Sequence, residues 1–297
     1  MRICGFIHMI ELDSKIIGIK TYKKINFFYF QNSQMSLFKR YLYQGNWIDL
    51  EYEDNKLVKK GKYLAYTISY IYRLDALGKK DHITYYDKNS ISKSLYKFIN
   101  SLGNIMFLDL EMTMPSYQFK GKGFKTELIQ AGYIIVGSNK EELCRYSNYV
   151  IPKNKMNFTK RVENFLGITQ AEFYQKAIPY LDFYNDFKSA LDDYNPVIVV
   201  YGKNDILVLN DSYSINGVSS LIGETRFINL CQILKSHYDL RNDPGLFKLY
   251  KIYYNAIDTQ IHDAFDDCDV TRKVFEAFSE DLKNNDKGEL IRKELEF

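Results

Sequence analysis

Residues 105–113 read IMFLDLEMT, a short apolar run that ends in two carboxylates. A continuous run of this kind is typical of a strand that is buried on both faces. Asp109 and Glu111 are two positions apart, so a strand places both side chains on the same face. Two adjacent carboxylates repel each other unless a cation lies between them. The stretch therefore predicts a metal-binding strand end, and the alternative is a solvated strand end with two ordinary acids.

A second apolar run also leads to an acidic residue. Residues 196–201 read PVIVVY, and Asp205 follows four positions later. Ligands of α/β proteins commonly bind beyond the carboxyl ends of the strands. The apolar residues after Asp205 predict a helix that begins near Asn204. Asp205 is thus a candidate ligand, unless Asn204 or Asp205 simply caps this helix.

A third acidic segment, residues 261–278, reads IHDAFDDCDVTRKVFEAF. Its apolar residues recur at the spacing of one helix face, and its acids cluster at the beginning: Asp263, Asp266, Asp267 and Asp269. Stabilisation of the helix dipole, worth about 0.3–1 kcal/mol per acid, is one explanation of that cluster. It does not explain His262. His262 shares a site with Asp267 only if the histidine lies in the preceding loop and Asp267 lies in the first turn.

Taken in order, these segments resemble the three sequential motifs of the DEDDh 3′–5′ exonucleases, the RNase T and DnaQ-like family. The matching motifs are Asp109-x-Glu111-x-Thr113, then Asp205, then His262-x-Ala264-x-x-Asp267. The intervening sequence is similar to the family at residues 126–136 (TELIQAGYIIV), 149–152 (YVIP) and 166–169 (LGIT). Tyr201 stands where proofreading-type members often have Asn. Gly202-x-x-Asp205 instead resembles the Eri-type and KapD-type branch, whose members act mainly on RNA.

The resemblance implies a fold, a set of metal ligands and a mechanism. The implied fold is an α/β, RNase H-like exonuclease domain over residues 104–280, with a mixed central sheet flanked by helices. Two Mg²⁺ or Mn²⁺ ions would stabilise the attacking and leaving oxygens of an in-line displacement. The implied ligands are Asp109, Glu111, Asp205 and Asp267. His262 would be the general base, and Thr113, Phe165 and Leu166 would contact the terminal nucleotide.

The first 87 residues have a different sequence pattern, which is typical of strands. Aromatic and β-branched residues predict strands at residues 2–12, 15–22, 25–30, 47–54 and 61–72. Between the third and fourth of these strands, the apolar residues within residues 35–42 (MSLFKRYL) recur at helical spacing, which predicts a short helix. Three strands, a short helix and two strands is the order of an OB-fold, a small barrel whose open face holds single-stranded nucleic acid.

Charge divides the chain in the same way. Residues 1–103 contain 17 Lys and Arg against 9 Asp and Glu, a net charge of +8. Residues 104–297 have a net charge of −5, and the whole chain has +3. A basic N-terminal part attracts polyanions, whereas an acidic C-terminal part suits the binding of cations.

In the barrel, aromatic side chains would stack on bases and basic side chains would follow phosphates. The candidates are Lys23, Lys24, Phe28, Phe30, Lys39, Arg40 and Trp47. Two alternatives stay open. Most of these aromatic rings could instead form the barrel core, and the barrel could dock a protein.

The remaining features concern organisation and location. Residues 88–103 predict a connecting helix, and residues 281–297 predict a charged, solvated tail or helix. The four cysteines form no Cys-x-x-Cys pair, which excludes a disulfide scaffold or a zinc ribbon and fits a reducing cytoplasm. No apolar run approaches the ~20 residues of a membrane span, so no membrane partner is expected. The oligomeric state is open, with a homodimer as one alternative.

The sequence thus predicts a metal-dependent 3′–5′ exonuclease that releases 5′-mononucleotides from single-stranded RNA or short oligonucleotides. The basic barrel would hold the strand whose 3′ end is cut. One alternative is a DNA-directed trimming or proofreading enzyme. Another is a non-catalytic RNA-binding adaptor.

Overall fold

The computed structural model describes residues 1–22, 24–78, 81–121, 123–221, 223, 226–256, 263–284 and 287–295. The chain divides into two compact units, residues 1–95 and residues 96–297. The division falls inside a helix over Lys88–Ser101, which overlaps the stretch for which the sequence predicts a connecting helix.

Unit 1 is built on a closed five-stranded barrel. Its elements are β1 (Arg2–Glu11), β2 (Ile16–Lys20), β3 (Ile25–Tyr29), α1 (Asn32–Phe38), β4 (Trp47–Lys60), β5 (Tyr63–Leu77) and β6 (His82–Asp87). Strand β1 pairs with β2 and β4, and the parallel pairing of β3 with β5 closes the barrel. This is the strand order of an OB-fold, as predicted. Helix α1 lies between β3 and β4 and continues as a 3₁₀ turn, Lys39–Tyr41.

Strand β3 shows which aromatic rings fill the barrel. Phe28 and Phe30 are 1% and 0% exposed and pack in the core with Ile17, Ile19 and Ile48. Side chains alternate between the faces of a strand, so rings two positions apart point the same way. The prediction that Phe28 and Phe30 stack on bases is therefore wrong.

The other described residues predicted to bind nucleic acid in the barrel are at least partly exposed to solvent. Lys24, Lys39 and Arg40 are exposed and Trp47 is half-buried, whereas Lys23 lies outside the described residues.

Strand β6 lies at the edge of the sheet of unit 1 and is not among the predicted strands. Residues 73–77, at the end of β5, pair antiparallel with residues 82–87 of β6. Asp75 accepts from Arg73 Nε at 2.7 Å and pairs with His82 Nε2 at 3.1 Å. Because β6 pairs only with β5 and is largely exposed, its sequence needs no apolar alternation.

Unit 2 contains a five-stranded mixed sheet. Its strands are β7 (Ile105–Met112), β8 (Leu128–Val136), β9 (Glu142–Tyr149), β10 (Val197–Val200) and β11 (Phe227–Asn229). The order is β11-β10-β7-β8-β9, with β8 antiparallel to its two neighbours and β10 parallel to β7 and β11. This is the predicted RNase H-like arrangement, and it puts β7 in the middle of the sheet.

Helices flank this sheet. They are α2 (Lys88–Ser101), α3 (Lys160–Leu166), α4 (Gln170–Lys176), α5 (Tyr180–Tyr194), α6 (Asn204–Asn216), α7 (Leu230–Tyr238), α8 (Leu246–Tyr254), α9 (Ala264–Asn284) and α10 (Gly288–Leu295). Helix α5 packs Phe183 and Phe187 into the core around Tyr133 of β8. Within the described parts of the chain, no helix has both the length and the apolar content that crossing a membrane requires.

The C-terminal residues are more than a solvated tail. Ile291 of α10 is fully buried, and the Lys287 amide donates to Asp281 Oδ1 at 2.6 Å. A helix is present, as one of the two predicted forms, but it is not solvated on all sides, because one face of α10 packs against α7 and α8.

Helix α9 lies unusually close to β8. A Cβ atom at Gly132 would be 2.4 Å from the Ala264 carbonyl carbon and 2.4 Å from the Phe265 nitrogen. Real side chains do not make contacts this short, so only glycine allows the first turn of α9 to approach the strand.

Candidate active site

The central strand β7 carries two of the predicted carboxylates. Asp109 and Glu111 lie on one face, opposite Gly132 and Gln130 of β8 in the register. Glu111 is 8% exposed and Asp109 is half-buried. The strand is held by β8 on one side and β10 on the other, so the two side chains project from a rigid position.

The third carboxylate comes from the first turn of α9. One oxygen atom each from Asp109, Glu111 and Asp267 can be chosen so that all three lie within 4.8 Å of one another. Asp267 is 9% exposed. Residues separated by more than 150 positions in the chain thus converge on one site, as the motif order predicts.

Asp263 fixes the start of α9. Its Oδ1 accepts hydrogen bonds from the amides of Phe265 at 3.0 Å and Asp266 at 3.2 Å, the pattern of an N-cap. Asp269 pairs with Arg272 and Lys273, and Asp266 is exposed. Of the four acids in this segment, only Asp267 joins the carboxylate cluster.

Asp205 lies beside the cluster and is tied to its backbone. It is in the first turn of α6, directly after β10, and is 5% exposed. Its Oδ1 accepts a hydrogen bond of 3.0 Å from the amide of Leu110, the residue between Asp109 and Glu111. The helix predicted near Asn204 begins there, and the Asp205 side chain reaches β7.

Burial raises the pKa values of all four carboxyl groups, and repulsion between carboxylates adds to this effect for Asp109, Glu111 and Asp267. Burial, followed by Asp267, raises the pKa of Glu111 to about 7. Burial, followed by Asp263, raises the pKa of Asp267 to about 7. Burial raises the pKa of Asp205 to about 6, although its hydrogen bond from Leu110 opposes the change. The pKa of Asp109 is also raised, by burial and then by repulsion from its acidic neighbours.

The donor set fits divalent cations. Asp267 Oδ1 is buried and has no hydrogen-bond partner among the described residues. A buried oxygen without a partner is costly, and a cation beside it removes that cost. Hard cations such as Mg²⁺ prefer carboxylate oxygens. The positions of Asp109, Glu111 and Asp267 therefore suit a metal centre.

Comparison with known proteins places this geometry in a family. Residues 106–275 match the model of the RNase_T family, which is described as "Exonuclease". The chain belongs to this exonuclease family. The predicted resemblance to it is confirmed, and the match covers unit 2 from β7 to the middle of α9.

Relatives of the exonuclease agree with this assignment. The "Probable 3′-5′ exonuclease KapD" of Bacillus subtilis (strain 168) is 28% identical over 179 residues, 60% of this chain and 85% of that protein. The nuclease domain of 3′hExo, a DEDDh family member solved bound to rAMP, has a TM-score of 0.51 at 15% identity. It covers 62% of this chain and 94% of its own. Cell-death related nuclease 4 (CRN-4) has a TM-score of 0.50 at 18% identity, covering 62% of this chain and 64% of its own. Both solved structures share the fold.

One residue that sequence reasoning missed orients the exonuclease site. Gln130, 2% exposed, donates from Nε2 to Asp263 Oδ2 at 2.6 Å. It joins β8 to the N-cap of α9, and so it fixes the turn that carries Asp267. A polar residue in the otherwise apolar run of β8 was the available signal. His262 lies outside the described residues, so its role stays a prediction.

The predicted nucleotide contacts of the exonuclease occupy different environments. Thr113 is 1% exposed, and its Oγ1 accepts a hydrogen bond from the Glu127 amide at 2.8 Å, so this side chain braces a loop. Leu166 is 9% exposed and packs among Val162 and its neighbours. Phe165, on the same helix, is half-buried and keeps more surface available to a nucleotide.

Tyr201, the aromatic residue that departs from the family pattern, has a structural role. Tyr201 donates from its hydroxyl to the carbonyl oxygen of Pro244 at 2.5 Å. This hydrogen bond holds the segment before α8. No described hydrogen bond joins the Tyr201 side chain to the carboxylates of the cluster.

Proposed function

We propose that this protein is a metal-dependent 3′–5′ exonuclease that releases 5′-mononucleotides from single-stranded RNA. The observation that carries the proposal is the convergence of Asp109, Glu111 and Asp267, with one buried oxygen of Asp267 unpaired. Such a cluster is unfavourable by itself, because each carboxylate repels the others. It is favourable around cations.

Asp109, Glu111 and Asp267 would hold two divalent cations, Mg²⁺ or Mn²⁺, with Asp205 beside them. When bound, the cations supply positive charge to the scissile phosphate and to the attacking and leaving oxygens. The protein's own contribution is placement. Strand β7 and helix α9 fix the carboxylates, and Asp205 fixes the backbone between the two acids of β7 through the Leu110 amide.

His262 is proposed as the general base that accepts a proton from the attacking water. An imidazole with an ordinary pKa near 6.5 accepts protons around neutral pH. The proposal is supported by chain position, because His262 immediately precedes Asp263, which caps α9 and is held by Gln130.

RNA is the preferred substrate in this proposal. The support is the resemblance of Gly202-x-x-Asp205 to the Eri-type and KapD-type branch, whose members act mainly on RNA. A DNA-directed enzyme is the competing possibility. Matched RNA and DNA strands with identical 3′ ends distinguish the two, because the proposal requires the higher kcat/KM on RNA.

The test of the activity itself compares two acids of the same region. Asp109→Asn is expected to lower the release of 5′-mononucleotides from single-stranded RNA by at least about a thousandfold, the scale of a lost electrostatic catalyst. Asp266→Asn, at an exposed acid outside the cluster, is expected to keep the wild-type rate. Equal rates for Asp109→Asn and the wild type would remove the proposal.

The barrel is proposed to bind the single strand through the outer face of β3. Phe27 and Tyr29 alternate with the buried Phe28, and the Phe27 ring lies 5.0 Å from that of Tyr63. Lys60 lies over the Tyr29 ring at 4.6 Å, and Lys62 lies over the Tyr63 ring at 5.3 Å. Aromatic rings interleaved with cations suit bases and phosphates.

The proposed location is the cytoplasm. Cys4, Cys144, Cys231 and Cys268 are all unpaired, which suits a reducing compartment. A homodimer stays a proposal as well, and light scattering of the purified protein tests it.

A further inference from the structure

The loop between β7 and β8 exposes aromatic rings next to the catalytic strand. It leaves β7 directly after Met112, one residue beyond Glu111. Tyr117 is 77% exposed and Phe119 is 45% exposed. Rings this exposed gain little from burial, so the folding of the unit does not account for them.

The loop is fixed at its base and along one side. The Thr113 amide donates to the Glu127 carbonyl at 2.8 Å, which continues the pairing of β7 and β8. From α3 and its N-cap, Thr159 Oγ1 donates to the Met114 carbonyl at 3.2 Å, and Arg161 Nη1 donates to the Pro115 carbonyl at 3.5 Å. The first residues of the loop are therefore held between the catalytic strand and α3.

Tyr117 is positioned by a cation. The guanidinium carbon of Arg161 lies 5.3 Å from the centroid of the Tyr117 ring, within the range of a cation–π contact. Because the ring is 77% exposed, most of its surface is open to a ligand. Arg161 and Phe165 are four residues apart on α3 and so lie on the same side of the helix. Phe165 is one of the residues predicted to contact the terminal nucleotide, so the Tyr117 ring extends the same side of α3.

The charge of this region is opposite to that of unit 2 as a whole. Lys120 and Lys125 are exposed in the loop, whereas residues 104–297 have a net charge of −5. Among the described loop residues the one carboxylate is Glu127, which is 5% exposed and accepts a hydrogen bond from Asn157 Nδ2 at 2.8 Å. No exposed carboxylate of the described loop therefore opposes a phosphate.

We define the loop subsite as Tyr117, Lys120, Lys125 and Arg161. We propose that it binds nucleotides upstream of the 3′ end of a single strand, with a base stacked on Tyr117 and phosphates beside the two lysines. The inference rests on the proposed function, because the upstream direction is set by a 3′ end at the carboxylates. It gives unit 2 a strand-binding surface of its own.

Binding of a labelled single-stranded RNA of about ten nucleotides, measured by fluorescence anisotropy in EDTA, tests the stacking contact. Tyr117→Ala is expected to raise the dissociation constant on the order of tenfold, the effect of removing one aromatic–base stack. Tyr117→Phe keeps the ring and is expected to bind like the wild type.

The phosphate contacts are tested by salt. In the full chain, Lys120→Ala with Lys125→Ala is expected to make log K fall less steeply with log salt concentration, by about 0.7 for each phosphate that is no longer neutralised. Lys140→Ala is the matched control, because Lys140 lies in the turn at the opposite end of β8. It is expected to leave the slope and the affinity unchanged.

The outcomes separate this inference from the proposed function. Wild-type affinity and slope in both Tyr117→Ala and the lysine double variant would overturn the loop subsite, whether or not the wild-type chain degrades RNA. A wild-type chain that degrades no strand would overturn the proposed function alone, since binding is measured without turnover. The expected weakening in the variants, with Tyr117→Phe and Lys140→Ala unchanged, supports the subsite.

Discussion

Asp263 determines which acid of α9 faces the catalytic strand. The sequence shows four acids within seven residues, and their spacing alone does not distinguish them, although the motif resemblance points to Asp267. Once Asp263 caps the helix at Ala264, the helical repeat turns Asp267 towards β7 and leaves Asp269 for Arg272 and Lys273. The resemblance predicts Asp267 as the ligand, whereas the roles of Asp263 as the cap and Asp269 as an ion-pair partner depend on where the helix begins and could not be predicted.

Replacing a carboxylate of the cluster is expected to separate stability from activity. Asp267→Asn removes a buried charge that its neighbours repel, so the metal-free protein should gain at least about 1 kcal/mol of unfolding free energy at pH 8. The same change should abolish RNA degradation. Urea unfolding in EDTA measures the first effect and mononucleotide release measures the second.

Asp269→Asn is the control on the same helix. Asp269 is paired with Arg272 and Lys273, and its pKa is lowered although burial opposes this. Its replacement should therefore leave stability unchanged or lower it. If Asp267→Asn lowered the free energy of unfolding as Asp269→Asn does, the repulsion described for the cluster would be contradicted.

The stability of the metal-free protein should fall as pH rises from about 4.5 to 7. The folded pKa of Glu111 rises from 4.5 to about 7 and that of Asp267 from 3.8 to about 7. Over this range the folded state holds more protons than the unfolded state, so each rise in pH favours unfolding. Thermal unfolding in EDTA across this pH range measures the effect.

Divalent cations should reverse that fall. Mn²⁺ binds the ionised carboxylates of the folded state, and at a hundred times its dissociation constant a ligand adds about 2.7 kcal/mol. The melting temperature at pH 7 should therefore rise with Mn²⁺ and rise less at pH 4.5. A metal effect equal at both pH values would show that these carboxylates are not the ligands.

At the scale of elements, the approach of α9 to β8 positions the site. A Cβ atom at Gly132 would clash with backbone of the first turn of α9 at 2.4 Å, and Asp109 is the register partner of Gly132. Gly132→Ala should cost about 1–3 kcal/mol of stability, the range of an overpacked core. It should also raise the Mn²⁺ concentration needed for half-maximal activity, because Asp267 moves with the helix.

Gly103→Ala is the comparison for this effect, since a Cβ atom there meets nothing within 4 Å. Urea unfolding and a Mn²⁺ titration of activity on both variants provide the readouts. An unchanged metal requirement in Gly132→Ala would mean that the helix position does not set the site.

The fold class of both units could be predicted from the sequence, but the faces of β3 could not. Residues 25–30 read INFFYF, so nearly every position is apolar and the two-residue period that separates inside from outside is hidden. The core took Phe28 and Phe30 and left Phe27 and Tyr29 on the outer side. The predicted aromatic surface was thus displaced by one residue, which turns it to the other face of the strand.

At the scale of the molecule, the basic barrel and the acidic exonuclease unit imply a division of labour. Lys60→Glu should weaken binding of long single strands and lower the salt dependence of that binding, because it removes the cation over the Tyr29 ring. Lys93→Glu makes the same charge change at an exposed residue of α2, outside the strands that carry Tyr29, Lys60 and Tyr63. Equal losses in the two variants would indicate general attraction by net charge and would contradict a defined binding face.

The most direct measurement is the release of 5′-mononucleotides from 3′-end-labelled single-stranded RNA by the wild type and by Asp267→Asn, each with Mn²⁺ and with EDTA. We expect the wild type with Mn²⁺ to release labelled mononucleotide, and the other three reactions to be slower by at least about a thousandfold. Undiminished release in EDTA, or by Asp267→Asn with Mn²⁺, would contradict a metal centre built from these carboxylates.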